Sequence, residues 1–305
     1  MDIYLPIANL SVNVLVIVLL GGIVGLLSGL FGVGGGFLTT PFLIFYGIPP
    51  TVAAASSALQ VTGTSVSGTL AYLRRDGVDL RMGSVLVAGG MLGSLAGSGI
   101  FRLLQQWGQI DTVIGILYVS LLGFIGTRMA VDAYVSLKAI KEGRPPPRAA
   151  RHHHPIVAAL PFRWRFYRSG LYISPMAPAI LGFITGILTL LLGVGGGFVM
   201  VPAMIYLLGM PARVVVGTSL FQILFVTAAT TLVHAMTTKS VDIVLASLLL
   251  VGGAIGAQIG ARLAVRLPAE WLRFVLALIV LGVAARLAVS LGWRPSEIYT
   301  LELIR

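Results

Sequence analysis

Apolar residues in this chain come in long unbroken runs, not in the alternating rhythm of a half-buried strand or the one-face rhythm of a surface helix. The runs fall at about 12–31, 37–46, 51–73, 82–104 and 110–137. After a polar stretch they resume at about 175–192, 198–208, 212–236, 241–265 and 270–291. Most have about 20 residues, enough for a helix to cross a roughly 30 Å hydrocarbon core. The runs at 37–46 and 198–208 are about half that length. The pattern predicts an all-α, polytopic membrane protein with five helical elements, a linker and five more. Three regions follow: a first transmembrane repeat over 1–137, a linker over 138–174 and a second repeat over 175–305.

Composition sharpens this reading. Hydrophobic residues make up 57% of the chain and charged residues 10%, against about 25% charged in soluble domains. Continuous runs rather than short alternating ones exclude a membrane β-barrel. The absence of cysteine excludes disulfides, thiol catalysis and cysteine metal sites. No basic segment precedes the first run, so it is expected to stay as a permanent helix and not to be cleaved as a signal peptide.

The two sets of five share a glycine run, Gly32-Val33-Gly34-Gly35-Gly36-Phe37 and Gly193-Val194-Gly195-Gly196-Gly197-Phe198, each followed by a proline, Pro41 or Pro202. The matches continue in order. Gly47-Ile48-Pro49 aligns with Gly209-Met210-Pro211, Ser56-Ser57-Ala58-Leu59-Gln60 with Thr218-Ser219-Leu220-Phe221-Gln222, and Val78-Asp79 with Val241-Asp242. Gly89-Gly90, Gly93 and Gly97 align with Gly252-Gly253, Gly256 and Gly260, and Arg128 falls opposite Arg286. This is a duplication, and an odd number of elements per copy inverts the second copy in the membrane.

Charge tests the inversion, because Lys and Arg favour the cytoplasmic side. The net charge of +11 therefore reports topology and not nucleic-acid binding. Placing 138–174 inside puts 16 of the 21 basic residues on the inner side, with Arg102, Lys239, Arg286, Arg294 and Arg305 outside. The expected protein is multi-pass, with a cytoplasmic linker and both termini outside. In the linker, Phe162-Arg163-Trp164-Arg165-Phe166-Tyr167-Arg168 suits an interfacial segment on anionic lipid headgroups. Residues 145–147 are prolines that bar a continuous helix, and the histidines at 152–154 read as a solvated run and not a metal site.

Three or four glycines cost a helix about 1 kcal/mol each against Ala, yet the flanks are too apolar for a water-exposed loop. Irregular backbone at membrane depth is tolerated where it is buried in protein or lines a cavity. Paired interruptions in two halves point to a transporter's substrate site. The free N–H groups starting the half-length helices, at Gly34, Gly35, Gly36 and Phe37 and at Gly195, Gly196, Gly197 and Phe198, would suit an anion. Ser57 with Gln60, and Ser219 with Gln222, share helix faces and offer uncharged donors for its shell. Arg128, Arg286 and His234 are accessory candidates; snorkelling and interfacial packing explain them as well. Asp79 and Asp242 read as helix caps, and the Gly89 and Gly252 series as close helix packing. No catalytic motif, cofactor site or metal set occurs in the sequence, so an enzyme is not expected.

The doubled Gly-Val-Gly-Gly-Gly-Phe with its following proline, Gly-x-Pro turn and Ser/Thr-Ser-x-x-Gln resembles the sulfite exporter TauE/SafE family of membrane transporters. The resemblance implies a secondary transporter, an exporter, in a bacterial-type plasma (inner) membrane, for small sulfur-containing anions such as sulfite or organosulfonates, by alternating access between inverted halves. A passive anion channel with the same cavity is one alternative. The other is a membrane scaffold subunit working through the basic linker, and whether copies of the chain associate is open.

Overall fold

The computed structural model describes residues 2–31, 34–142, 161–264 and 269–292. Residues 32–33 of the first glycine run, the prolines at 145–147, the histidines at 152–154, and Arg266, Arg294 and Arg305 lie outside them. The described residues form an all-α, polytopic membrane protein of ten helices. They are α1 (Val14–Phe31), α2 (Gly36–Phe45), α3 (Pro50–Leu73), α4 (Leu80–Gln106) and α5 (Ile110–Lys141). In the second half come α6 (Met176–Leu192), α7 (Gly197–Tyr206), α8 (Ala212–Thr237), α9 (Ile243–Ala264) and α10 (Ala269–Gly292). Each begins and ends within a few residues of an apolar run.

Five of them, α4, α5, α8, α9 and α10, contain segments long and apolar enough to cross a bilayer. Large apolar side chains such as Leu15, Leu92, Phe124 and Leu232 stand on the outside, as a surface facing lipid requires. The helix α3 has the length, at 24 residues, but carries eight serines and threonines and Gln60. It packs instead against α2, α8 and α9. Prolines fix where α3 and α8 begin: Pro49 and Pro211 occupy their N-cap positions in extended backbone, which a proline ring presets without needing an N–H.

Helix pairing is reciprocal between the halves. The first helix of each half packs on the fourth of the other, α1 on α9 and α6 on α4. The third helices pack on each other, α3 on α8, as do the fifth, α5 on α10. Glycines make the first of these possible, because backbone meets backbone. A Cβ on Gly252 or Gly256 would come within 2.0 Å of the Val18 or Gly22 carbonyl oxygen of α1. One on Gly93 or Gly186 would come within 2.0 or 2.1 Å of the Phe183 or Gly90 carbonyl oxygen. Gly89 and Gly260 meet the same kind of obstacle.

Each half also opens with a β-hairpin that the apolar runs do not announce. Strand β1 (Asp2–Leu5) pairs antiparallel with β2 (Leu10–Asn13), and β3 (Trp164–Phe166) with β4 (Leu171–Ile173). Both turns hold four residues and end on a residue with positive φ, Asn9 at 52° and Gly170 at 66°. Asn13 Oδ1 then accepts from Leu15 N at 3.1 Å and Ser174 Oγ from Met176 N at 3.3 Å, so a side-chain turn to the amide two residues on leads into both α1 and α6. The second hairpin occupies the end of the expected linker. Its aromatics divide: Phe166 is buried, while Phe162, Trp164, Tyr167 and Tyr172 are exposed.

Apolar side chains collect in three places. Two are counterparts. In one, Leu5, Val12, Ile17, Leu43, Ile48, Leu245 and Leu249 pack the first hairpin onto α1, α2 and α9. In the other, Phe166, Ile173, Met82, Leu86, Met204 and Met210 pack the second hairpin onto α4 and α7. The third lies between the halves, where α5 and α10 close over the glycine breaks.

Candidate functional site

The two glycine breaks meet at the centre of that third cluster. A Cβ on Gly36 would come within 2.6 Å of the Gly193 carbonyl oxygen and 2.9 Å of the Val194 carbonyl carbon. Val61 of α3 touches both breaks, within 2.8 Å of where a Cβ would stand on Gly36 or Gly195. Ile223, its counterpart on α8, does so at 3.5 Å from Gly34 and 3.1 Å from Gly195. The rings of Phe37 and Phe198 stack at 4.6 Å with 6° between their planes, and both are buried. The axis between the halves is packed shut.

The breaks differ in backbone. In the second, Gly193, Gly195 and Gly196 all have φ near +70°, a region costly for any residue with a Cβ. In the first, Gly34 matches at +79°, but Gly35 is helical at −68°. Both breaks release a short helix whose first amides, at Gly36 and Phe37 and at Gly197 and Phe198, lie ahead of the first intrahelical bonds and carry the positive end of the helix dipole.

The C-terminal end of α6 is satisfied across the halves. The Leu192 carbonyl accepts from Thr40 Oγ1 at 3.1 Å and from the buried Tyr118 hydroxyl. His234 Nε2 lies 2.9 Å from the Leu190 carbonyl, and Nδ1 3.2 Å from Thr238 Oγ1. A carbonyl only accepts, so the network assigns the His234 proton to Nε2. His234 is thus a packed, hydrogen-bonded group, edge-on to Phe101 at 5.1 Å.

The Ser/Thr-Ser-x-x-Gln segments divide their residues between two jobs. Ser56 and Thr218 are staples between the halves: Asp242 N donates to Ser56 Oγ at 3.1 Å, and Asp79 N to Thr218 Oγ1 at 3.0 Å. The glutamines and inner serines face the buried interior. Gln60 is lodged beside Gly253 of α9, whose missing Cβ would fall 2.9 Å from Nε2; Gln222 is lodged beside Gly90 of α4, at 3.4 Å. The two glutamines thus pack against the glycine-lined faces of α9 and α4 respectively. Ser219 donates to its own helix at Val216 O, 2.9 Å away, while Ser57 Oγ and both polar atoms of Gln222 are buried without a partner. Further along α3, Ser65 and Thr69 also have no partner among the described residues. Thr62 donates to Thr227 of α8 at 2.8 Å, and Ser94 of α4 lies 3.1 Å from Thr230. The interior between α3 and α8 is a seam of hydroxyls and amides with no charge.

Arg128 and Arg286 stand on the exposed surface, Arg286 with its guanidinium 4.7 Å from the Phe45 ring centre. Asp79 and Asp242 cap α4 and α9 through Oδ1, accepting from Met82 N at 3.1 Å and Leu245 N at 3.0 Å. Sequence reasoning missed Thr39, Thr40 and Tyr118. Repetition was its filter, and the counterparts of the two threonines, Met200 and Val201, are apolar. Among the described residues, no group of three His, Asp or Glu is placed to hold a metal.

A model of the family described as "Sulfite exporter TauE/SafE" matches residues 17–287. "Probable membrane transporter protein YjnA" of Bacillus subtilis (strain 168) is 29% identical over 267 residues, 87% of this chain and 96% of that protein. A "Probable membrane transporter protein" of Xylella fastidiosa (strain Temecula1 / ATCC 700964) is 31% identical over 268 residues, 87% of this chain and 90% of that protein. No solved structure matches. The chain belongs to the sulfite exporter TauE/SafE family.

Proposed function

We propose that this member of the TauE/SafE family is a secondary transporter, and not an enzyme, that exports small sulfur-containing anions such as sulfite or organosulfonates. Family membership and the transporter names of its relatives support the coarse statement. The meeting of two glycine-broken helices at the middle of the fold carries the finer one, with Gly36 against Gly193 and Val194. Two short helices start there with first-turn amides ahead of the intrahelical bonds and with Thr185, Thr189 and Thr227 beside the second break, which suits an anion without a fixed countercharge to trap it.

In this reading the halves are inverted copies, as the reciprocal pairing of α1 with α9 and α6 with α4 supports. The stacked Phe37 and Phe198 form the closed middle of an alternating-access cycle, which favours a carrier over an open channel. One half rocks against the other about the glycine breaks. The hairpin β3–β4 lies on the inner side, where Arg81 sits 5.0 Å from the Tyr167 ring centre. A cleft of about 510 Å³ lined by Arg75, Asp76, Tyr167 and Arg168 opens beside it. Anionic lipid headgroups suit that surface.

A thermal-shift screen of purified protein against sulfite, thiosulfate, taurine, sulfoacetate, sulfate and small carboxylates tests the substrate class, since a ligand of the folded state raises the melting temperature. Selective stabilisation by sulfur anions, with saturable sulfite flux in proteoliposomes, is expected. Flux linear in concentration without counterflow would indicate a channel instead.

A further inference from the structure

We infer that the two glutamines of the repeat have parted roles: Gln60 fastens the first half, and Gln222 is the amide that reads the ligand, kept free by Met200. This rests on the transport reading above. The half-length helices align as Gly36-Phe37-Leu38-Thr39-Thr40-Pro41 and Gly197-Phe198-Val199-Met200-Val201-Pro202. In the first half, Thr39 Oγ1 donates to Gln60 Oε1 at 2.9 Å, with the Gly35 carbonyl a second acceptor at 3.2 Å. In the second, the position aligned with Thr39 is Met200, whose thioether donates nothing. Gln222 is fully buried, and neither Nε2 nor Oε1 has a hydrogen-bond partner among the described residues.

Burying a primary amide without partners is costly, and buried polar groups in folded proteins are nearly always paired. Beside its Nε2 lies Gly90 of α4, whose missing Cβ would fall 3.4 Å away and which offers no side chain to relieve it. An unpaired carboxamide presents both a donor pair and an acceptor. It is complementary to a ligand with the same mixture, an oxyanion that also carries a proton donor, such as hydrogensulfite or an ammonium-bearing sulfonate. A dianion without a proton, such as sulfate, meets the N–H groups but leaves Oε1 facing negative charge.

The test uses full-length purified protein, melted with and without sulfite at mildly acidic pH, taurine or sulfate. Met200→Thr gives Gln222 the partner that Gln60 has; it is expected to raise the melting temperature of the free protein and to weaken sulfite binding at least several-fold. Gln222→Leu melts at or above wild type and loses the sulfite shift. Gln60→Leu melts below wild type, because the Thr39–Gln60 bond between α2 and α3 is lost and Thr39 keeps only the Gly35 carbonyl, and it keeps the shift. Two results overturn the inference: Gln222→Leu destabilised as much as Gln60→Leu, or a sulfite shift that survives Gln222→Leu and Met200→Thr unchanged. If wild type responds to no sulfur anion, the substrate reading fails. The order of melting temperatures among the ligand-free variants still decides whether Gln222 is free.

Discussion

At the start of α4, Asp79 caps its own helix with Oδ1 and turns Oδ2 to the hairpin β3–β4, where it accepts from Ser169 N at 3.0 Å and Ser169 Oγ at 2.6 Å. At the start of α9, Asp242 caps in the same way, but its Oδ2 reaches the hairpin β1–β2 through one longer bond, from Ile7 N at 3.4 Å. Both carboxylates are buried, and both helix starts are stapled by the hydroxyl at the head of a Ser/Thr-Ser-x-x-Gln segment. The backbone frame is thus shared, and the grip is set by one turn residue, Ser169 in one hairpin and Ala8 in the other. In a carrier that opens one end at a time, the end held by Asp242 costs less to release. The glutamines show the same division, a common backbone with unequal fastening.

The comparison first requires that the frame itself be equal. Gly93→Ala and Gly256→Ala each push a methyl into a carbonyl 2.0 Å away, on α6 and α1 respectively. Helix pairs that must part by this much lose about 3 kcal/mol or more, so both variants should lose most folded protein in size-exclusion profiles, and to similar extents. Gly99→Ala, with nothing within 4 Å, is the control and should behave as wild type. Unequal losses at Gly93 and Gly256 would break the comparison at its base.

The next effect separates the ends. Asp79→Ala removes a cap and both bonds to Ser169, a loss of about 3 kcal/mol. Asp242→Ala removes a cap and one long bond, about 1 kcal/mol. The midpoint of thermal unfolding should therefore fall clearly further for Asp79→Ala. Limited proteolysis should cut the released segment around β3–β4 in that variant first. Equal falls would mean that the two hairpins are held alike.

How much of this could be read from the chain follows from which interactions are local. Ten apolar runs gave ten helices because membrane helices need only length and apolarity, and ordered glycine and proline matches are what the duplication reading rests on. The caps at Asp79 and Asp242 lie within three residues of their targets and were legible. The hairpins were not. Asp2–Asn13 is short and mixed, and residues 162–168 read as an interfacial basic–aromatic stretch because Phe166 looks no different from Phe162 until one is buried. Ser56 and Thr218 bond residues 186 and 139 positions away, so their stapling role has no local signature. The glutamines were found by their repetition, and for the same reason Thr39 was passed over: its value lies in the failure of the repeat at Met200.

The smallest effects are single hydroxyls at the third turn position of each hairpin. Ser169→Ala deletes the 2.6 Å bond to Asp79 but leaves the backbone donor, and should cost about 1 kcal/mol, read as a lower unfolding midpoint. The reverse change, Ala8→Ser, installs that hydroxyl in the first hairpin, where Ala8 is buried within the turn. The turns are alike in length and in their final left-handed residue, but Asp242 bonds the second turn residue, whereas Asp79 bonds the third. A serine at position 8 can reach Asp242 only if the turn shifts to the arrangement of its counterpart. If it does, the unfolding midpoint should rise by an amount corresponding to about 0.5 kcal/mol, and the two ends become equally held. Under the proposed alternating-access export, sulfite flux should then slow, because the more weakly held end has been fastened. An unchanged midpoint would mean that the packing of Leu5 and Val12 fixes the first turn, and that the inequality of the ends resides in backbone position and not in the missing hydroxyl.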